Sequence, residues 1–231
     1  GTNGKTTTST LVYELLAKTF PGKTHLCGNI GIPLCETVLE NGLMEEGGHY
    51  IALEISNFQL VNIDRFRPEA AVILNLTPDH VDFMGSLDAY YKSKTEVYRN
   101  MSGSDLFLLN ADDPVLAEYT AKYPVNCTVR TFSTDRSDTD SCVSGGYVCV
   151  NGEKVLPLDL IKIIGKHNLQ NIIVAVSIAK AFGVTNEDIC SVIADFRGVE
   201  HRIEFVRELN GVKYYNDSKG TNTDATVTAL K

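Results

Sequence analysis

Short, continuous apolar runs alternate along this chain with longer segments in which apolar residues recur every three or four positions. Leu11, Val12, Leu15 and Leu16 recur at helical spacing, and Pro21-Gly22 stops that run, which predicts a helix ending at Phe20. Residues 25–29 end a short strand, and Gly31-Ile32-Pro33 opens a second helix carrying Leu34, Val38 and Leu39. Residues 50–55, 70–76 and 105–109 form three apolar runs, the first broken by Glu54 and the second ended by Thr77-Pro78. Runs this apolar, separated by helices, suit strands buried on both faces of a parallel sheet. The polar residues near their ends, Glu54, Asn75 and Asn110, then line the carboxyl edge at which such sheets bind ligands. A helical stretch over residues 86–101 carries Tyr90, Tyr91, Val97 and Tyr98.

From Thr128 the period changes. Residues 128–133 and 147–150 are β-like, joined by a polar loop over 134–141, and Asn151-Gly152 turns tightly into Lys154-Val155-Leu156. A small antiparallel sheet is predicted here. A strongly apolar helix follows, with Ile172, Ile173, Val176, Ala179 and Phe182 on one face and Gly183 closing it. Thr185 with Asp188 caps the next helix, and residues 202–208 and 212–215, hinged at Asn210-Gly211, form a last hairpin. The fold class expected is α/β: a mostly parallel sheet of the phosphate-loop type, flanked by helices, with a small antiparallel subregion.

The 231 residues allow one large α/β domain, or one domain and part of another. A net charge of −8 leaves no basic patch, which argues against nucleic acid or an anionic membrane surface as the main partner. No apolar run reaches the roughly 18 residues of a membrane span, and the first residues do not resemble a signal peptide. The six cysteines lack a C-x-x-C pair and zinc-like His spacing, so reduced thiols are the simple reading. Cys142 and Cys149 flank Gly145-Gly146 and could face each other across a hairpin.

Chemistry concentrates first in Gly1-Thr2-Asn3-Gly4-Lys5-Thr6-Thr7-Thr8, which reads as the end of a phosphate-binding loop running into a helix. Such a turn aims several backbone N–H groups at one point, in front of the positive end of the helix dipole. Lys5 would supply an ammonium to the outer phosphates and Thr6 a hydroxyl to Mg²⁺. An ordinary solvated turn before a helix is the alternative. Glu54, a carboxylate inside an apolar strand, is either a metal ligand or an edge-strand acid facing water. Asp79-His80 follows a strand end, where a lone His is a metal ligand or a capping residue. By composition Lys94 is a solvated lysine, and Asn171, near the start of the apolar helix, is an N-cap by default. Arg202 and Asp217-Ser218-Lys219 bracket the last hairpin as surface charges and a turn, or as site residues.

The order of these clusters resembles one family, the Mur ligases of bacterial cell-wall synthesis. The stretches that carry the resemblance are Gly1-Thr2-Asn3-Gly4-Lys5-Thr6, Gly28-Asn29-Ile30-Gly31, Leu53-Glu54-Ile55-Ser56-Asn57-Phe58-Gln59-Leu60 and Leu74-Asn75-Leu76-Thr77-Pro78-Asp79-His80. Lys94, Asn110-Ala111-Asp112-Asp113, Gly165-Lys166-His167-Asn168, His201-Arg202 and Asn216-Asp217-Ser218-Lys219-Gly220-Thr221-Asn222 follow in the same order. The Glu-Ile-Ser-Asn-Phe-Gln-Leu stretch is most similar to the members that add D-glutamate. The resemblance implies ATP-dependent joining of D-glutamate to UDP-N-acetylmuramoyl-L-alanine through an acyl phosphate, by a monomer in the bacterial cytoplasm. It implies nucleotide contacts from Thr2, Asn3, Gly4, Lys5, Thr6, Thr7, Asn171, Arg202 and Asp217. Thr6 and Glu54 would hold one Mg²⁺, and His80 with a carbamylated Lys94 a second. Lys5, Glu54, His80 and Lys94 would be the catalytic set, with Asn29, His80, Lys219 and Thr221 at the substrates.

The family has three domains. Residues 1–197 correspond to the central ATP-binding domain without its first strand and first loop glycine, and residues 198–231 to the beginning of the C-terminal domain. The expectation is an excerpt that is inactive alone, or weakly nucleotide-binding. A related amide ligase, such as another Mur ligase or folylpolyglutamate synthase, and a nucleotide-binding module without catalysis are the competing readings.

Overall fold

A computed structural model describes residues 1–78, 84–220 and 226–227. His80 and Thr221 lie outside the described residues. Helix α1 (Lys5–Thr19) is followed by β1 (Thr24–Gly28), α2 (Leu34–Glu40), β2 (Tyr50–Glu54), the single turn α3 (Asn57–Leu60) and β3 (Ala70–Ile73). Then come α4 (Leu87–Thr95), β4 (Gly103–Asn110), α5 (Pro114–Lys122) and β5 (Cys127–Phe132). The strands β6 (Ser141–Ser144), β7 (Tyr147–Val150) and β8 (Glu153–Pro157) precede α6 (Lys166–Ala181) and α7 (Asn186–Asp195). A hairpin of β9 (Glu204–Leu209) and β10 (Val212–Asn216) comes last, its Asn210-Gly211 turn having both φ angles positive (53° and 77°), as a two-residue hairpin turn demands.

β1 and β2 pair in parallel, and so do β3, β4 and β5. The antiparallel region expected after Thr128 is not a separate sheet. β6 joins β5 through the single parallel pair Phe132–Ser141, and β7 and β8 extend the same sheet antiparallel. Strand alternation divides the core between the two faces. Phe107 and Leu108 of β4 are both fully buried, yet Leu108 packs with Leu11, Leu15, Ile173 and Val174 of α1 and α6. Phe107 packs on the other face with Tyr90 of α4, Tyr98 and Leu116 of α5. Burying side chains of this size stabilises by roughly 1.5–3 kcal/mol each, so loss of either face opens the sheet.

Among the described residues β2 and β3 do not pair with each other. A cavity of about 550 Å³ lies between them, lined by Tyr50 to Glu54 on one side and Ala70 to Leu74 on the other, with Gly1 among its lining residues.

Two expectations need correction. The apolar run 70–76 is strand only to Ile73, because the residues after it turn to meet the loop at the chain start. Asn171 is not an N-cap: Gly165 holds that position in α6, and Asn171 is buried one turn further on. Helix α5, capped by the Asp113 side chain with Pro114 at its first position, had no apolar period strong enough to announce it. No helix among the described residues is long and apolar enough to cross a membrane.

Candidate functional site

The loop over residues 1–4 is fastened from below by the segment leaving β3. Thr2 N donates to Asn75 O (3.1 Å), Asn3 N to Asn75 Oδ1 (2.9 Å), and Asn75 Nδ2 returns a bond to Asn3 O (3.1 Å). The Thr2 hydroxyl donates to Thr77 O at 3.0 Å and accepts from Thr77 N at 3.2 Å. Gly4 starts α1 in the left-handed region, φ 85°, and a Cβ there would lie 2.4 Å from Asn171 Oδ1. Only glycine lets loop and helix α6 approach this closely. Asn171 Oδ1 accepts from the Thr8 hydroxyl at 3.2 Å, which joins α1 to α6 beneath the loop.

Lys5 Nζ folds back onto the loop's own carbonyls, Thr2 O at 2.8 Å and Gly1 O at 3.2 Å. Thr6 and Thr7 are buried in the first turn of α1. Arg202 reaches across from the far end of the chain, its Nη2 donating to Thr6 Oγ1 at 3.1 Å, while its Nε is buried without a partner. It stands between His201 and Ile203, both at positive φ (66° and 48°), a strained setting for a β-branched residue. Asp217 Oδ1 accepts from Ile203 N at 3.1 Å and fixes that bend. Its charge also acts on His167, whose imidazole is nonetheless held below its ordinary range, chiefly by burial. Lys219 is exposed, and its backbone N–H, bonded to His201 O, ties it to this region.

A second pole forms at the end of β2. Glu54 is 4 % exposed, which removes the reading of an edge-strand acid facing water. Its Oε1 accepts from Asn29 Nδ2 at 2.9 Å, and Asn29 N donates to Glu54 O at 2.8 Å. Gly28, φ 110°, permits this approach, since a Cβ there would meet Glu54 O at 2.3 Å. Glu54 Oε2 is buried with no hydrogen-bond partner. A buried carboxylate oxygen left bare is costly in a finished protein and suits a cation. Lys94, on α4, is equally hidden at 5 % exposed, its Nζ 4.4 Å from the centre of the Tyr90 ring. Composition alone made Lys94 a solvated lysine; packing against Tyr90 and the cavity overturns that.

Gly1, Lys5, Glu54, Asn57 and Lys94 all line the cavity between β2 and β3. The structure thus brings together the loop, Asn29, Glu54, Lys94, Asn171 and Arg202. No group of three His, Cys, Asp or Glu side chains suited to a metal occurs among the described residues, which exclude His80. Sequence reasoning gave no site role to Thr8, Tyr90 or Asn57, although Thr8 and Asn57 lay within the Gly1–Thr8 and Ser56-Asn57-Phe58-Gln59 stretches already singled out.

Comparison with known proteins extends the picture over the whole chain. The model of the Mur ligase middle domain matches residues 1–179. UDP-N-acetylmuramoylalanine–D-glutamate ligase of Thermoanaerobacter pseudethanolicus is 41 % identical over 236 aligned positions, covering 100 % of this chain and 50 % of that protein. The enzyme of the same name from Geobacillus kaustophilus is also 41 % identical, with the same coverage. The chain therefore spans about half the length of the curated relatives it matches. Among solved structures, MurF from Acinetobacter baumannii superimposes with a TM-score of 0.75 at 21 % identity, over 99 % of this chain and 51 % of that one. The ligase MurC from Thermotoga maritima gives a TM-score of 0.68 at 23 % identity, over 100 % and 51 %. At these identities the structural likeness speaks for the fold alone.

Proposed function

The chain belongs to the Mur ligase family, and from that membership we propose that it is the ATP-binding middle of a longer ligase that adds D-glutamate to UDP-N-acetylmuramoyl-L-alanine. Residues 1–197 make the central domain, and the hairpin from residue 198 onward begins the domain that closes over the incoming amino acid.

One observation carries the reading: a buried carboxylate with a bare oxygen, Glu54 Oε2, shares a cavity with the loop lysine Lys5 and the buried Lys94. Two carboxylates and a triphosphate must meet for an acyl phosphate to form, so cations have to neutralise the cleft. The identity of 41 % across the whole chain supports the choice of D-glutamate among family acceptors.

In this reading the backbone N–H groups of Thr2, Asn3 and Gly4 cradle the nucleotide phosphates, and Lys5 exchanges its bonds to Gly1 O and Thr2 O for outer phosphate oxygens. Thr7 completes the first turn around those phosphates. Mg²⁺, when bound, screens the phosphates and the substrate carboxylate from each other. Thr6 Oγ1 and Glu54 would hold one such ion, with Arg202 Nη2 moving off Thr6 to admit it. His80 and a carbamylated Lys94 would hold another. Asn29 fixes the Glu54 carboxylate and faces the muramoyl substrate. Asn171 and Asp217 bound the nucleotide, and Lys219 and Thr221 approach the phosphates when the following domain closes.

The test uses the full-length protein. Glu54→Ala should abolish ligation and the response to Mg²⁺ while leaving the thermal unfolding profile intact, and a panel of amino-acid acceptors should return D-glutamate alone. Near-normal turnover with unchanged Mg²⁺ dependence refutes the assignment of Glu54, and a different preferred acceptor refutes the substrate.

A further inference from the structure

The polar side chains of the turn at residues 56–59 are accounted for, save one. Ser56 and Gln59 satisfy each other: Ser56 N and Oγ donate to Gln59 Oε1 (2.8 and 2.9 Å), and Gln59 N donates back to Ser56 Oγ. Asn57, between them, is 6 % exposed, and its Nδ2 is buried with no hydrogen-bond partner among the described residues. It lines the same cavity as Glu54 and Lys94. Helix α3, which carries it, packs on α4, which carries Lys94; Leu60 shares a core cluster with Tyr90 and Tyr91.

An unused donor, Asn57 Nδ2, and an unused acceptor, Glu54 Oε2, therefore border one cavity without meeting each other. A buried polar group is stable only when something answers it. A cation answers Glu54. Asn57 needs an acceptor oxygen, and the modified Lys94, on the helix that α3 packs against, supplies one. Its neutral Nζ attacks the carbon of CO₂, a new N–C bond forms as one C=O π pair moves onto oxygen, and the nitrogen releases a proton to solvent. The resulting carbamate is labile, reverting to amine and CO₂ unless its charge is met by donors or cations.

We propose that Asn57 is a positioning residue whose side-chain amide donates a hydrogen bond to the carbamate on Lys94, holding the modification in place and turning its free oxygen toward the metal. This rests on the reading of Lys94 as carbamylated. A hydrogen bond to a charged acceptor in a site this buried is worth about a tenfold or greater change in carbamate occupancy. It also explains why an amide, rather than an apolar side chain of the same size, faces the cavity here.

The experiment is carbon NMR of the full-length protein equilibrated with ¹³C-labelled bicarbonate over a range of concentrations, without nucleotide. Wild type should give a carbamate signal that Lys94→Arg abolishes. Asn57→Leu should need at least about tenfold more bicarbonate for half occupancy, since it removes the donor while keeping the γ-branched shape of the side chain. Asn57→Asp should need more still, because it sets one anion against another. Asn57→Ser, which keeps a short donor, should recover part of the loss, and unfolding midpoints serve to show that each variant is folded. High bicarbonate should also restore ligation in Asn57→Leu. Equal half-occupancy in wild type and Asn57→Leu overturns the proposal, as does a change confined to KM for the muramoyl substrate. Absence of a carbamate signal in wild type overturns both it and the reading of Lys94, and so separates the two failures.

Discussion

Gly4→Ala measures how tightly the loop is wedged against helix α6. Alanine at φ 85° takes a left-handed backbone, which costs roughly 1–2 kcal/mol before any contact is counted. Its methyl would also lie 2.4 Å from Asn171 Oδ1 and 3.1 Å from Leu74 Cδ1, so Asn171 must move. That oxygen accepts from the Thr8 hydroxyl, and Asn171 is only 3 % exposed, so no water replaces the lost bond. Stranding such a pair costs about 1–3 kcal/mol. The expected destabilisation is therefore roughly 2–5 kcal/mol, with nucleotide affinity falling alongside it because the loop N–H groups no longer converge. Asn171→Ala alone removes the Thr8 partner, yet in the Gly4→Ala background it also clears the clash. The double variant should thus be more stable than the sum of the singles predicts, by about 1 kcal/mol or more, in urea unfolding of the full-length protein. Strict additivity, within about 0.5 kcal/mol, would mean that the two residues do not press on each other and would sink the wedge.

Lys5→Ala should weaken ATP more than ADP by calorimetry under the proposed role of its ammonium at the outer phosphates; equal losses contradict that role. The Asp112 carboxylate is held below its usual range: burial pushes it up, but bonds from Ser133 Oγ, Thr134 N and Thr134 Oγ1 outweigh that. Its contribution to stability is then complete above the ordinary carboxylate value of about 3.9 and lost as the pH falls further, so Asp112→Asn should flatten the acid limb of stability against pH. A native-state maleimide should label exposed Cys35 well before the fully buried Cys27, whose thiol burial also pushes up; equal rates would mean that β1 opens readily.

Much of this architecture was legible because the signals were local. The 3.6 period of Leu11, Val12, Leu15 and Leu16, the Asn210-Gly211 turn and the Thr185 cap each act within a few residues, and each appears where the pattern put it. Long-range facts were not legible. Nothing near Lys94 distinguishes it from Lys92; burial against Tyr90 does, and that depends on how α4 meets the sheet. Glu54 stood out as a charge in an apolar run, but its bare oxygen depends on Asn29 taking only Oε1. Asn171 looked like a cap because it lies near a helix start, while the partner of its oxygen, Thr8, is 163 residues away. Asn57 went unmarked because its neighbours' capping box absorbs every local bond and leaves its own amide without one.

The break between β2 and β3 also bears on how the molecule holds together. Among the described residues no ladder of backbone bonds joins the β1–β2 ribbon to the sheet that begins at β3; what spans the division is side-chain packing, through α1 lying on β1, β2 and α6. Packing of this kind yields piecemeal, whereas a continuous ladder tends to give way as a unit. Hydrogen exchange should therefore find amide protons in β1 escaping to solvent through openings that leave β4 shut. An extended segment bonded along both edges would fuse ribbon and sheet into one such unit.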